Sequence, residues 1–296
     1  MLLRAALLTV ATIVSITAVG AEPYRKFYNA GLKDYKAKKY EEAIQKFKEG
    51  LAKSYDAGSK YNCLSYAYYS ALNAKKYDEA MAFATQIFEL QSDLPARGIL
   101  FEADVLRNMK KYKEAIKLLA ETNISKWNKS LLVSYHYKLG SIYYLDKQYK
   151  KALEAYEKYL KSAYKDYSRS SALLRLGNTA NFGLKDKDAA RDYYMRTIEI
   201  KGVHKSYKQD ASFRIAVLDA EKKDYQAAVD RLKKNLKTSK GYHQALCAYY
   251  AGIYLLRLGE KDEAKAMFEK GIATKKYTGG YIAKCKKQLE KLNPDK

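Results

Sequence analysis

Between residues 135 and 160 the chain reads YHYKLGSIYYLDKQYKKALEAYEKYL. Apolar and aromatic residues fall at Leu139, Ile142 and Tyr143, pause at the polar Asp146-Lys147-Gln148, and resume at Tyr149, Ala152, Leu153, Tyr156 and Leu160. Spacings of three and four on both sides of the break predict two amphipathic helices joined by a short turn. Gly140 and Ala152 are small where two antiparallel helices would cross, which lets the backbones approach while larger neighbours close around the point. One such pair cannot bury both of its apolar faces, so it must stack on another.

The pattern recurs along the chain. An alanine just after the polar break stands at Ala43, Ala80, Ala115, Ala152, Ala189, Ala228 and Ala264, about every 35–39 residues, with Ala190 an equally good anchor in the fifth unit. Three residues earlier lies Tyr40, Tyr77, Tyr112, Tyr149 or Tyr225. Four residues later lies Phe47, Leu119, Tyr156, Tyr193, Leu232 or Phe268. Twelve residues earlier lies Gly31, Ala103, Gly140, Gly177, Ala216 or Gly252, and only the second unit, with Tyr68, breaks the rule. Helix-stop residues are expected between units at Ala57-Gly58, Pro95, Lys201-Gly202, Lys240-Gly241 and Thr278-Gly279-Gly280.

With small and aromatic residues at these offsets, the unit resembles a tetratricopeptide repeat, whose period is 34 residues. The resemblance implies an all-α fold, a right-handed α-solenoid of about seven helix hairpins over residues 22–279, with a capping helix and tail at 280–296. Residues 1–21, MLLRAALLTVATIVSITAVGA, have one positive charge, an apolar run and small residues before Glu22. That is the layout of a cleaved signal peptide, so the expected location is the periplasm or cell envelope, with secretion as the alternative.

Composition changes the picture in one respect. Fifty-six Lys and Arg against thirty-three Asp and Glu give a net charge of +23, which favours polyanions and anionic surfaces and says nothing about fold. The lysines gather at the turns inside hairpins: Lys38, Lys39, Lys75, Lys76, Lys110, Lys111, Lys147, Lys150, Lys222 and Lys223. Equivalent turns stack along one edge of a solenoid, so these form a basic edge suited to an acidic glycan or an anionic membrane surface, or serve only as a solubilising face. Nucleic acid fits the charge but not an exported protein.

Catalytic chemistry is not indicated. His136, His204 and His243 are scattered, and no paired-Cys spacing, phosphate-binding glycine loop or nucleophile elbow occurs. No cofactor or metal is expected. Cys63, Cys247 and Cys285 read either as small buried hydrophobes or, for the last two, as a disulfide tying the cap to the seventh unit.

What the resemblance implies is a binding groove lined by the first helix of each pair. Carried onto this chain, its exposed positions are Tyr28, Tyr35, Tyr69, Asn73, Arg97, Arg107, Asn108, Tyr137, Tyr144, Asn178, Asn181, Phe182, Phe213 and Tyr249. Tyrosine offers contact area with a hydroxyl, and asparagine can bond a peptide backbone. The mixture suits a polar, extended peptide or protein partner in a non-catalytic adaptor, although with thirty tyrosines in the chain some serve packing instead. A carboxylate clamp of the family's kind is not expected, because Tyr28 and Leu32 occupy the places of its Lys and Asn.

Overall fold

The computed structural model describes residues 23–90, 94–274 and 279–292. The leader expected at 1–21 lies outside the described residues, and among these all regular structure is helical. The chain divides into two compact units, Met1–Asp146 and Lys147–Lys296. In the first, α1 (23–36) and α2 (Tyr40–Ala52), α3 (Ala57–Asn73) and α4 (Tyr77–Phe88), and α5 (Leu94–Asn108) and α6 (Tyr112–Glu121) form hairpins, followed by α7 (Lys129–Leu145). In the second, α8 (Tyr149–Ser162) precedes α9 (Asp166–Asn178), whose last turn opens into a π turn at Thr179–Leu184 before α10 (Lys187–Glu199). Then come α11 (Lys205–Glu221), α12 (Tyr225–Leu236), α13 (Gly241–Leu258), α14 (Lys261–Ile272) and the closing α15 (Gly280–Leu292). Each helix packs on the next within its unit, and first helices also adjoin one another, α5 with α7, α9 with α11, α11 with α13 and α13 with α15.

The crossings explain the repeat. Ala43, Ala80, Ala115, Ala152, Ala190, Ala228 and Ala264 are all fully buried. A Cβ added at Gly31 would stand 2.7 Å from Phe47, one at Gly177 would stand 2.4 Å from Tyr194, and one at Gly252 would stand 2.5 Å from Phe268. The small residue of the first helix thus sits under the ring four residues after the anchor. The second hairpin obeys the same volume rule with its partners exchanged: Tyr68 is fully buried on α3 and Ala84, 1% exposed, takes the ring's place on α4.

In the fifth unit the anchor is Ala190, not Ala189, and Tyr194, not Tyr193, is the buried ring. One extra residue precedes it. The π turn absorbs that residue, with the Lys185 and Asp186 amides both donating to the Ala180 carbonyl, the single-turn form in which such insertions appear inside helices.

The expected helix stops between units are, in four places, helix starts, Gly280 opening α15 among them. Asp56 caps α3 by accepting from the Ser59 amide at 2.8 Å, and Ser59 Oγ accepts in return from the Asp56 amide at 3.3 Å, so Ala57 and Gly58 form its first turn. Pro95 lies in the first turn of α5, where its missing N–H costs no helical bond. Gly241, with φ +55, opens α13.

Inside the hairpins the backbone reverses through a left-handed residue, and in six turns that residue is lysine: Lys38, Lys75, Lys110, Lys147, Lys185 and Lys223, with φ between 61 and 66. In the first three turns the lysine amide donates to the carbonyl three residues back, as Lys38 does to Tyr35 at 3.0 Å. The next amide reaches five residues back, as Lys76 does to Ala71 at 2.8 Å, so the turn closes the last orphan carbonyls of the first helix. A left-handed non-glycine residue costs roughly 1–2 kcal/mol. Only the last of these turns uses glycine, Gly259 at φ +88.

Candidate functional site

In the first unit the aromatic side chains of the first helices form a connected ladder. Tyr28 and Tyr35 set their rings edge-on to Tyr66 at 5.7 and 5.8 Å, and Tyr69 meets Phe101 edge-on at 5.5 Å. Tyr68 stacks on Phe101 at 4.3 Å and donates its hydroxyl to the Phe101 carbonyl at 3.0 Å. Burial pushes the Tyr28 and Tyr69 hydroxyls up to about 12, so both remain neutral donors at any physiological pH.

At the far end of the ladder a cavity of about 160 Å³ opens between α3, α5 and α7. Tyr61, Tyr69, Leu100, Phe101 and Leu131 give it apolar walls, and Ser130, Ser134, Arg97 and Lys138 supply its polar groups. The Arg97 guanidinium lies over the Tyr61 ring, 5.5 Å from its centroid, an arrangement that holds it against the aromatic face. Lys138 pairs with one oxygen of the buried Asp104, and Arg107 lies 3.3 Å from the other. Two basic side chains, Lys138 and Arg107, therefore flank a single aspartate. Glu102, on the same helix, has its carboxyl pushed up by burial. The result is a cationic, hydroxyl-bearing cavity with aromatic walls.

Of the groove residues expected in this unit, the structure brings Tyr69 and Arg97 into the cavity wall. Tyr28 and Tyr35 are half-buried in the ladder. Asn73 donates its amide to the Tyr69 carbonyl at 2.7 Å and to the Tyr35 hydroxyl at 3.4 Å, and Asn108 donates to the Asp104 carbonyl at 2.7 Å. These amides bond their own helices rather than stand ready for a ligand. Arg107 is held by Asp104, and Tyr137 and Tyr144 are half-buried on α7 outside the cavity lining. The cavity is also lined by Tyr61, Ser130, Ser134 and Lys138, which the expected groove does not include. The last three follow one another at i, i+4 and i+8, a single stripe of α7 that a search weighted toward tyrosine passes over.

The second unit treats its first helices differently. Tyr194 donates its hydroxyl to Asn178 Oδ1 at 2.9 Å, and Asn181 is buried in the π turn. Phe182 is 47% exposed beneath the Arg214 guanidinium, 5.3 Å from its centroid. Phe213 packs edge-on to Tyr250 at 5.2 Å. Tyr249 contacts Tyr250 at 5.3 Å and Tyr281 of α15 at 5.7 Å, while the Lys284 ammonium lies 4.6 Å over the Tyr281 ring. Here α15 lies against the aromatic face. A separate cavity of about 310 Å³, lined by Leu160, Arg169, Leu173, Arg196, Glu199 and Ile200, lies on α8–α10 away from every expected groove residue.

The ten lysines of the expected edge all lie in or beside the turns within hairpins; Lys76 is half-buried and the others are exposed. Cys63, Cys247 and Cys285 are free, buried thiols, so the Cys247–Cys285 disulfide is absent. Cys285 Sγ instead fills the space over Gly271, where an added Cβ would stand 2.6 Å away, and Cys63 does the same over Gly50 at 2.9 Å. Among the described residues no cluster of three or more His, Cys, Asp and Glu is placed to hold a metal ion.

Residues 133–166 match the family model of the tetratricopeptide repeat. No curated protein sequence matches the chain. Among solved structures, the apo form of RapI superposes with a TM-score of 0.69 at 16% identity, covering 92% of this chain and 82% of that one. The apo form of the quorum sensor NprR from B. thuringiensis gives 0.57 at 11% identity, covering 93% and 82%. The C-terminal part of a TPR repeat-containing protein from Cytophaga hutchinsonii gives 0.54 at 16%, covering 87% and 98%. At these identities the likeness concerns fold alone.

Proposed function

Since the chain is a tetratricopeptide-repeat protein, we propose that it is a non-catalytic interaction scaffold that holds an extended peptide, or such a segment of a partner protein, against the first-helix face of its first unit. The observation that carries this reading is the cavity of α3, α5 and α7, where Arg97 and Lys138 stand beside Tyr61, Tyr69 and two serine hydroxyls. Aromatic walls supply area at low entropic cost, and the Arg97 and Lys138 side chains favour a segment with a carboxylate group to enter beside them. We place this work in the cell envelope on the strength of the leader at 1–21, and we assign the partner no further identity.

Selection of a random peptide library on the leaderless chain, followed by fluorescence anisotropy of the enriched peptides, tests the proposal. Acidic, aromatic-containing sequences should emerge. Tyr69→Ala and Arg97→Ala should each weaken them about tenfold or more, as expected for aromatic and arginine anchors that a bound peptide covers. Tyr137→Ala/Tyr144→Ala, outside the cavity lining, should weaken them less. Selected peptides indifferent to Tyr69→Ala and Arg97→Ala would refute the assignment of this cavity.

A further inference from the structure

Six hairpin turns place a lysine in a backbone conformation that glycine adopts without strain, and Gly259 shows that this chain can use glycine there. A residue kept at a strained position points to a use for its side chain. Lys38, Lys75, Lys110, Lys147, Lys185 and Lys223 are all exposed, and among the described residues none makes an ion pair. Their neighbours behave otherwise. Lys76 pairs with Glu41 at 3.1 Å, Lys222 with Asp188 at 3.0 Å and Lys187 with Glu221 at 2.9 Å. Those pairs join consecutive turns, the first to the second and the fifth to the sixth, which lines the turns up within each unit and leaves the left-handed lysines as its uncompensated charge.

Two of these lysine turns, and the glycine turn at Gly259, carry a second feature. The exposed leucines among the described residues are Leu145, Leu184 and Leu258, at 44, 36 and 37% exposure, and each lies within two residues of a left-handed turn residue. A soluble acidic polymer would gain nothing from them. A bilayer surface offers both partners at the required depths, phosphate for the ammonium groups and the acyl boundary for the leucines. We propose that the hairpin-turn edge of each unit docks on an anionic lipid surface, with the left-handed lysines on the headgroups and the turn leucines below them. Among the described residues no helix is long and apolar enough to cross a membrane, and this contact requires none.

Glycine makes the test clean, because it removes the charge while keeping the turn. Lys38→Gly/Lys75→Gly/Lys110→Gly and, separately, Lys185→Gly/Lys223→Gly would be compared with the parent chain, without residues 1–21, in sedimentation with phosphatidylglycerol vesicles. Circular dichroism melts would confirm that both variants fold. A lysine near an anionic surface is worth about fivefold in affinity, so the triple variant should bind on the order of a hundredfold more weakly. Binding should also fade as salt rises. Leu145→Ser/Leu184→Ser/Leu258→Ser should weaken vesicle binding and leave binding to soluble polyglutamate unchanged. Vesicle binding that survives the glycine substitutions would overturn the proposal. So would vesicle binding indifferent to the leucine variant, which would reassign the lysines to an acidic polymer.

Discussion

The two units follow one repeat rule and put their tyrosines to opposite uses. In the first, the ladder of Tyr28, Tyr35, Tyr66 and Tyr69 ends at a cavity, because the next first helix, α7, presents Ser130, Ser134 and Lys138 to it. In the second, Tyr249 and Tyr250 meet Tyr281 and Lys284 of α15. A tyrosine-rich face therefore ends in an open cavity or a seam according to what the following helix brings. Small hydroxyl side chains leave space, and a ring with a lysine over it fills that space.

The largest effect expected on this comparison comes from the one crossing whose volumes are exchanged. Tyr68→Ala should cost about 3–5 kcal/mol in denaturant unfolding, the range for losing a buried ring, and should loosen the Phe101 wall of the cavity. Adding Ala84→Leu should recover part of that loss if the two residues share one volume. Tyr281→Ala should instead destabilise the second unit and leave peptide affinity unchanged. A fall in affinity would mean that the second unit's face also binds.

Gly177→Ala and Gly252→Ala come next. An exposed helical glycine changed to alanine gains about 1 kcal/mol, but here the new methyl would stand 2.4 Å from Tyr194 or 2.5 Å from Phe268. The sign should reverse, to a loss of about 1–3 kcal/mol in thermal melts.

Alkali should act on both units, and more on the second. Burial pushes the Cys63 and Cys285 thiols up to about 11 and Cys247 to about 12, from an ordinary 9.0. The unfolded chain gives up these protons from about pH 9 while the folded chain holds them. Stability should therefore be indifferent to these thiols below pH 9 and fall between pH 9 and 11, by about 1 kcal/mol per thiol per pH unit. With two such thiols to one, α13–α15 should lose amide protection before α3. The smallest effect is a gain: Lys110→Gly should add about 0.5–1 kcal/mol, the left-handed cost reduced by glycine's greater freedom in the unfolded chain.

Much of the fold was legible because it follows from volume at crossings. Gly31, Gly177 and Gly252 announce themselves by being small where Phe47, Tyr194 and Phe268 are large, and Tyr68, which looked like an exception, keeps the sum through Ala84. The fifth unit was ambiguous between Ala189 and Ala190 because one inserted residue moves every offset, and only the hydrogen bonding of the π turn shows where it went. The cavity was half legible. Tyr69 and Arg97 stand out by residue type, whereas Ser130 and Ser134 matter for the volume they do not fill. The commitment of Asn73 and Asn108 to carbonyls of their own helices depends on rotamer and backbone, which residue type does not reveal. The turn lysines were visible as charge, but their left-handed backbone was not.

Whether the first unit's cavity is the binding face is tested most directly by hydrogen–deuterium exchange with and without a selected peptide. Slowed exchange in α3, α5 and α7, with α11, α13 and α15 unchanged, is the expected result. Protection confined to α11–α15, with the cavity helices untouched, would contradict it.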